Sequence, residues 1–189
     1  MRKSEGEVLF DLEHDRVWRV TNIKSRFKVK CDGLDDLIAS RFDELLIKER
    51  RNIISIITPF CTYIAFWKSG VINVTGTRSV EDNKRACEKF LSIIPECELL
   101  SPQVIDNISA SGSIRSSLSG RFTSIVNDLS CIVDSSPSFD PFTFPSANIK
   151  TRFGTMCVFE SGAVNLMGLK QIEHANFFRD AIRDLLTLC

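Results

Sequence analysis

The stretch Phe66–Gly76, FWKSGVINVTG, recurs about ninety residues later as Val158–Gly168, VFESGAVNLMG. Superposed without gaps, Ser69-Gly70 meets Ser161-Gly162, Ile72-Asn73-Val74 meets Val164-Asn165-Leu166, and Gly76 meets Gly168. Each copy is an apolar run closing on an aromatic (Trp67, Phe159), then a Ser-Gly turn, a β-rich run and a glycine. Glycine tolerates the turn and β-branched residues suit a pleated surface, so each copy predicts a β-hairpin. A hairpin repeated at a fixed offset predicts a duplicated fold.

Working outward, the same order of elements surrounds both copies. Val17–Lys30 alternates apolar and polar residues and predicts a long strand with one wet face. Gly33–Leu46 has helical spacing, Ile53–Ile57 and Cys61–Trp67 are strands, and Ser79–Ile94 is a helix. Ser79 is placed to cap that helix, Asp82 falls at its third position, and Ala86, Phe90 and Ile93/Ile94 form its buried stripe. In the second half, Val104–Ile114 alternates and a weaker helix covers about Leu118–Leu129. A Pro/Ser/Phe loop then runs into a strand near Phe144–Arg152. Gln171–Leu188 closes as a helix with Ala175, Phe178, Ile182 and Leu185 on one face. The expected organisation is a charged, loosely held extension over 1–16, a first repeat over 17–98 and a second over 99–189. The fold class is α+β, with strands joined in an antiparallel sheet under long helices.

Composition narrows the function. Lys+Arg and Asp+Glu number 24 each, so net charge points to neither nucleic acid nor an anionic membrane. No apolar run approaches the roughly 20 residues of a membrane span, and the N-terminus lacks a signal-peptide apolar segment. The seven cysteines include no CxxC, and His14 and His174 lie far apart, so reduced buried thiols in an intracellular protein are expected and a metal is not. No Ser/His/Asp set, carboxylate cluster or phosphate-binding loop is present, so neither an enzyme nor a cofactor nor a small-molecule substrate is expected.

From Val17 onward the sequence resembles the core of the TATA-box-binding-protein family. The resemblance rests on Ser69–Ile94, on FESGAVNLMG, on the segment Asp140–Pro145 (DPFTFP), and on the two Asn-Ile dipeptides at Asn22 and Asn107. It implies a saddle made of two pseudo-symmetric repeats, with a concave sheet over a widened DNA minor groove and convex helices facing other proteins. Asn22 and Asn107 are then central donors to A·T acceptors, and Phe144 and Phe159 a pair of wedges between base steps. Trp67 is implied as a wedge of the first repeat, with no aromatic partner near Asn52–Ile53; Thr75, echoed by Met167, faces the groove. A bend sharper under the second repeat than the first is expected.

The sequence also departs from that family. Val71 and Ala163 stand where it has a phosphate-holding lysine. Asn73 and Asn165 replace apolar groove-facing residues, and Lys24, echoed by Ser109, replaces another. Lys24, Arg26, Arg51, Lys150 and Arg152 are candidates to compensate. The implied partners are double-stranded A·T-rich promoter DNA, basal transcription factors of the IIA/IIB type and the RNA polymerase machinery, in the nucleus or at a viral transcription site. Protein contacts are expected at Arg78–Lys89, the last helix and the Ser136–Pro145 loop. The alternative is an interaction module on the same scaffold that has lost DNA binding.

Overall fold

The computed structural model describes residues 6–12, 16–42, 46–50, 52–114, 118–140, 142 and 145–188. After a short strand β1 (Val8–Leu12), the first half runs β2 (Arg16–Lys30), α1 (Leu34–Arg41), β3 (Leu46–Arg50), β4 (Ile53–Ile57), β5 (Thr62–Phe66), β6 (Val71–Thr77) and α2 (Val80–Ile93). The second half runs β7 (Glu98–Ser113), α3 (Phe122–Ile132), β8 (Pro137–Ser138), β9 (Ser146–Thr151), β10 (Gly154–Phe159), β11 (Ala163–Leu169) and α4 (His174–Leu188). The strand, helix, four strands, helix order of one half is that of the other. The fold class is α+β, as the sequence pattern predicts.

Two compact units form: Asn22–Asp106, and Gly6–Thr21 with Asn107–Cys189. Their limits cut through β2 and β7, so each long strand contributes residues to both units.

In the first unit β3, β4, β5, β6 and the second part of β2 are joined by antiparallel pairing. Alternation puts Phe27 and Val29 of β2, Ile54 and Ile56 of β4, Tyr63 and Ala65 of β5, and Ile72 and Val74 of β6 in one core. Leu34 and Ile38 of α1, and Ala86, Cys87 and Phe90 of α2, cover that core. Helix α2 starts as its sequence predicts: Ser79 Oγ accepts from the Asp82 N–H at 3.0 Å. Beneath it Asn83 is fully buried and donates to Thr77 Oγ1 at 2.8 Å. Gln103 Nε2 donates to Ser25 Oγ at 2.9 Å and to Asn83 Oδ1, so these buried polar groups satisfy one another.

In the second unit β8, β9, β10, β11 and the last part of β7 pair antiparallel, and β1 pairs with the start of β2. Met156, Val158, Val164, Leu166 and Ile149 are buried with the expected α4 stripe of Ala175, Phe178, Ile182 and Leu185. Trp18 is fully buried, stacks on Phe10 at 5.1 Å between ring centroids and lies over Gly112, where an added Cβ would overlap the indole.

Four expectations need correction. Residues 8–12 are not loosely held: β1 buries Phe10 and Leu12, which gives this charged segment an apolar anchor. Helix α1 ends at Arg41, and Leu46 lies in β3, paired with Ile57. Helix α3 starts at Phe122, later than expected. Not every thiol is buried: Cys61, Cys87 and Cys157 are, Cys31 and Cys97 are partly exposed, and Cys131 is exposed. Among the described residues no helix is long and apolar enough to cross a membrane and no side-chain group suits a metal ion.

Candidate nucleic-acid interface

Each unit leaves one sheet face uncovered by its helices. In the first unit the residues alternating with the core are Asn22, Lys24, Arg26 and Lys28 on β2, Val71, Asn73 and Thr75 on β6, Thr62, Ile64 and Phe66 on β5, and Ile53, Ser55 and Ile57 on β4. Arg26 lies opposite Asn73, and Asn73 opposite Ile64. In the second unit the open residues are Asn107, Ser109, Ser111 and Ser113 on β7, Ala163, Asn165 and Met167 on β11, Phe159 at the end of β10, and Asn148 and Lys150 of β9, whereas Ser146 and Cys157 share that face but are buried.

Asn22 and Asn107 occupy matching sites. Pairing of β2 with β6 shifts register between Ile23 and Ser25, and pairing of β11 with β7 shifts between Leu166 and Leu169. Each irregularity contains a glycine in the left-handed region, Gly76 at φ 93° and Gly168 at φ 82°. The displaced N–H loses its strand partner and the asparagine replaces it. Gly76 N donates to Asn22 Oδ1 at 2.7 Å, and Gly168 N to Asn107 Oδ1 at 2.7 Å. Thr75 Oγ1 adds a second bond to Asn22 Oδ1 at 3.1 Å. Since an N–H can only donate, the amide oxygen must face the glycine and the NH2 must face away. Asn22 Nδ2 has no acceptor among the described residues. Asn107 Nδ2 gives one hydrogen to Ser109 Oγ at 3.0 Å and keeps the other. The amides of Asn73 and Asn165 make no hydrogen bond to a described residue and are half-buried.

The two hairpins differ by one residue. Four residues, 67–70, join Phe66 to Val71, whereas three, 160–162, join Phe159 to Ala163. Gly70 N reaches the Phe66 carbonyl and Gly162 N the Phe159 carbonyl, both at 2.9 Å. Matched by register, Phe159 therefore corresponds to Phe66, and the ungapped superposition on Ser-Gly misaligns the strand before the turn. Trp67 is the extra residue. Its indole packs against the first unit's core, its Nε1 is buried with no hydrogen-bond partner, and Lys68 Nζ lies 5.1 Å over the ring. The first-repeat residues that share the open face are thus Asn22, Lys24, Asn73 and Thr75, without Trp67. The second-repeat set is Asn107, Ser109, Phe159, Asn165 and Met167. Phe144, the expected partner of Phe159, lies outside the described residues, as does Arg51.

Sequence reasoning passed over Phe66, Lys28 and Ser111. The signal for Phe66 was present: TYIAF (Thr62–Phe66) and TMCVF (Thr155–Phe159) match end to end at an offset one larger than that of the Ser-Gly turns. Aligning on the glycines concealed it.

Opposite the open face, a cavity of about 590 Å³ lies in the first unit. Phe42, Phe60, Tyr63 and Ile93 contribute its apolar lining, with Arg78, Arg85 and Lys89 at its rim. Phe60 is 64% exposed.

A solved structure of Methanococcus jannaschii TBP matches over 91% of this chain and 99% of its own, with TM-score 0.67 at 20% identity. The fold is that of the TATA-box-binding protein. At this identity the likeness speaks for the fold alone. A heterotetrameric sarcosine oxidase from Corynebacterium aligns at 8% identity with TM-score 0.30 and carries no argument. No protein-family model and no curated protein matches the sequence.

Proposed function

We propose that the chain is a divergent TATA-box-binding-type initiation factor, which docks its open sheet faces on the minor groove of A·T-rich promoter DNA and bends it. The supporting observation is the pair of oriented asparagines. With each Oδ1 held by a glycine N–H, the groups presented outward are donors, and the A·T minor groove offers acceptors only, adenine N3 and thymine O2. A donor fixed before binding loses little entropy on docking. Phe66 and Phe159, at matching ends of β5 and β10, are the aromatic groups proposed to unstack base steps, with Phe144 proposed as the second wedge of the second repeat. Thr75 and Met167 flank the asparagines, and Lys24, Asn73, Ser109 and Asn165 complete the contact surface.

In this reading the helical side recruits basal factors of the IIA/IIB type and the polymerase machinery, in the nucleus or at a viral transcription site. The chain needs no cofactor and performs no catalysis. The alternative reading, an interaction module without DNA binding, is favoured by the cavity beside α2 with its exposed Phe60 and basic rim. A gel shift on an A·T-rich duplex, with and without basal factors, separates the two. Binding that weakens steeply with salt and strengthens with a factor is expected. No shift under any condition favours the alternative.

A further inference from the structure

The β2 and β7 rows of the two open faces differ in hydrogen-bond chemistry, while the acceptors of the first face, the Asn73 amide oxygen and the Ser55 and Thr62 hydroxyls, stand on other strands. Along β2 the row Asn22, Lys24, Arg26, Lys28 offers donors only. The Asn22 oxygen is occupied by Gly76 N and Thr75 Oγ1, and ammonium and guanidinium groups have no acceptor. Lys24 and Lys28 are exposed and make no ion pair with any described residue, while Arg26 Nε lies 3.5 Å from Asp106 Oδ1. Along β7 the matching row is Asn107, Ser109, Ser111, Ser113. A hydroxyl can both donate and accept: Ser113 gives its proton to the Gly162 carbonyl at 3.1 Å, Ser109 accepts from Asn107 and keeps its own proton, and the Ser111 hydroxyl has no partner among the described residues. Alternate residues of a strand stand about 7 Å apart, so each row is a ladder of like chemistry.

We infer that the β2 row selects A·T pairs more strictly than the β7 row, which tolerates G·C. The only donor in the minor groove is the guanine N2 amine. Where base edges meet the β2 row nothing on that row accepts the amine, which is left desolvated and unpaired, so G·C is disfavoured there; the nearest acceptor on the face is Asn73, opposite Arg26. A serine row accepts the amine through a lone pair and the A·T acceptors through its protons. The cations also favour the A·T groove because its negative potential is deeper. This inference rests on the proposed docking on duplex DNA and adds a division of sequence preference between the units, set by Lys24 and Lys28 against Ser109 and Ser111.

Three duplexes of equal length test it: all A·T, half A·T with half G·C, and all G·C. The half-and-half duplex is expected to bind within about threefold of the all-A·T one, since a single A·T half satisfies the donor row. The all-G·C duplex is expected to bind weaker by tenfold or more, at the usual cost of even one mismatched pair. Inosine in place of guanine removes the N2 amine and should restore binding. Lys24→Ser with Lys28→Ser, both exposed positions, should bring the three duplexes together. Ser109→Lys with Ser111→Lys should drop the half-and-half duplex toward the all-G·C one. Equal stepwise losses across the three duplexes, or variants that keep the wild-type pattern, overturn the inference while leaving DNA binding intact. Binding to none of the duplexes overturns the functional reading itself, and a shift seen only with an acidic polypeptide assigns the cationic row to a protein.

Discussion

The row on β2 and the row on β7 start alike and then diverge. Asn22 and Asn107 hold the same N–H at the same irregularity, at the same distance. From the next open position onward lysine and arginine face serine: Lys24 against Ser109, Arg26 against Ser111, Lys28 against Ser113. The buried positions between them stay mostly apolar in both units, Ile23, Phe27 and Val29 against Ile108, Ala110 and Ile114. Packing constrains the inner face of a duplicated sheet, so both copies keep it. The outer face answers only to its partner, and there the copies have separated. A formal net charge of zero conceals this, because it averages a cationic strand with neutral ones.

The largest expected effect tests the turns that distinguish the hairpins. Trp67 packs on the core, so Trp67→Ala should lower unfolding stability by about 2 kcal/mol, somewhat under the usual cost of a fully buried aromatic. DNA bending should survive it. Phe66→Ala should do the reverse, costing less stability, about 1 kcal/mol for a half-buried ring, and reducing the bend. Urea unfolding and end-to-end fluorescence transfer on a short duplex read the two effects. A bend lost with Trp67 and kept without Phe66 would return the wedge role to Trp67.

The charge difference is the next lever. Each cation that neutralises a phosphate contributes about 0.9 to the slope of log affinity against log salt. Lys24→Ser with Lys28→Ser should flatten the slope by just under 2, whereas Ser109→Ala with Ser111→Ala should leave it unchanged. Titrations at four salt concentrations measure this. Equal slopes for wild type and the lysine variant would mean that the β2 row does not meet the duplex.

Much of this was legible in the sequence, for identifiable reasons. The repeated Ser-Gly hairpin and the α2 cap carry local signals, and each gave its element directly. The Asn-Ile dipeptides marked both asparagines, but not why they sit there, since a register shift is a property of two strands together. The one-residue difference between turns stayed hidden for the same reason: only cross-strand pairing tells that Phe66, not Trp67, closes its strand. β1 was missed because charged neighbours mask Phe10 and Leu12, which count only once they meet Trp18 and α4.

A smaller effect separates structure from recognition at the shared asparagines. Asn22→Ala or Asn107→Ala leaves a glycine N–H without its acceptor, at about 1 kcal/mol of stability. Asn22→Asp or Asn107→Asp keeps that acceptor and removes the amide donor. The aspartate variants should therefore unfold near the wild-type midpoint yet lose duplex binding, and similarly in both units. Aspartate variants that bind as well as wild type would remove the donors from the recognition surface.

The smallest effect concerns alkali, and it should fall unevenly on the two units. In the first, burial pushes the Cys87 thiol up to about 12, against a hydrogen bond from Ser25 that lowers it. Burial, then the hydrogen bond with Cys31, pushes Cys97 up to about 12. Tyr63 is raised as well, chiefly by burial and then by Cys61. In the second unit, burial raises Cys157 and a bond from Ser146 lowers it. A thiol is neutral when protonated, and its ordinary value is 9.0. Between that value and 12 the unfolded chain releases protons that the folded chain retains, so the unfolded state gains with rising pH. The stability is present in full below about 9 and is lost as pH climbs toward 12. Trp67 lies in the first unit and Trp18 in the second, so single-tryptophan variants, Trp18→Phe and Trp67→Phe, report each unit by fluorescence. Denaturant midpoints at pH 8, 9 and 10 should fall further for the Trp67 signal than for the Trp18 signal. Cys87→Ala should narrow the gap, because it removes a proton that the folded first unit holds. Identical falls from both probes would mean that the units unfold as one cooperative body or that these thiols do not govern the alkaline limb.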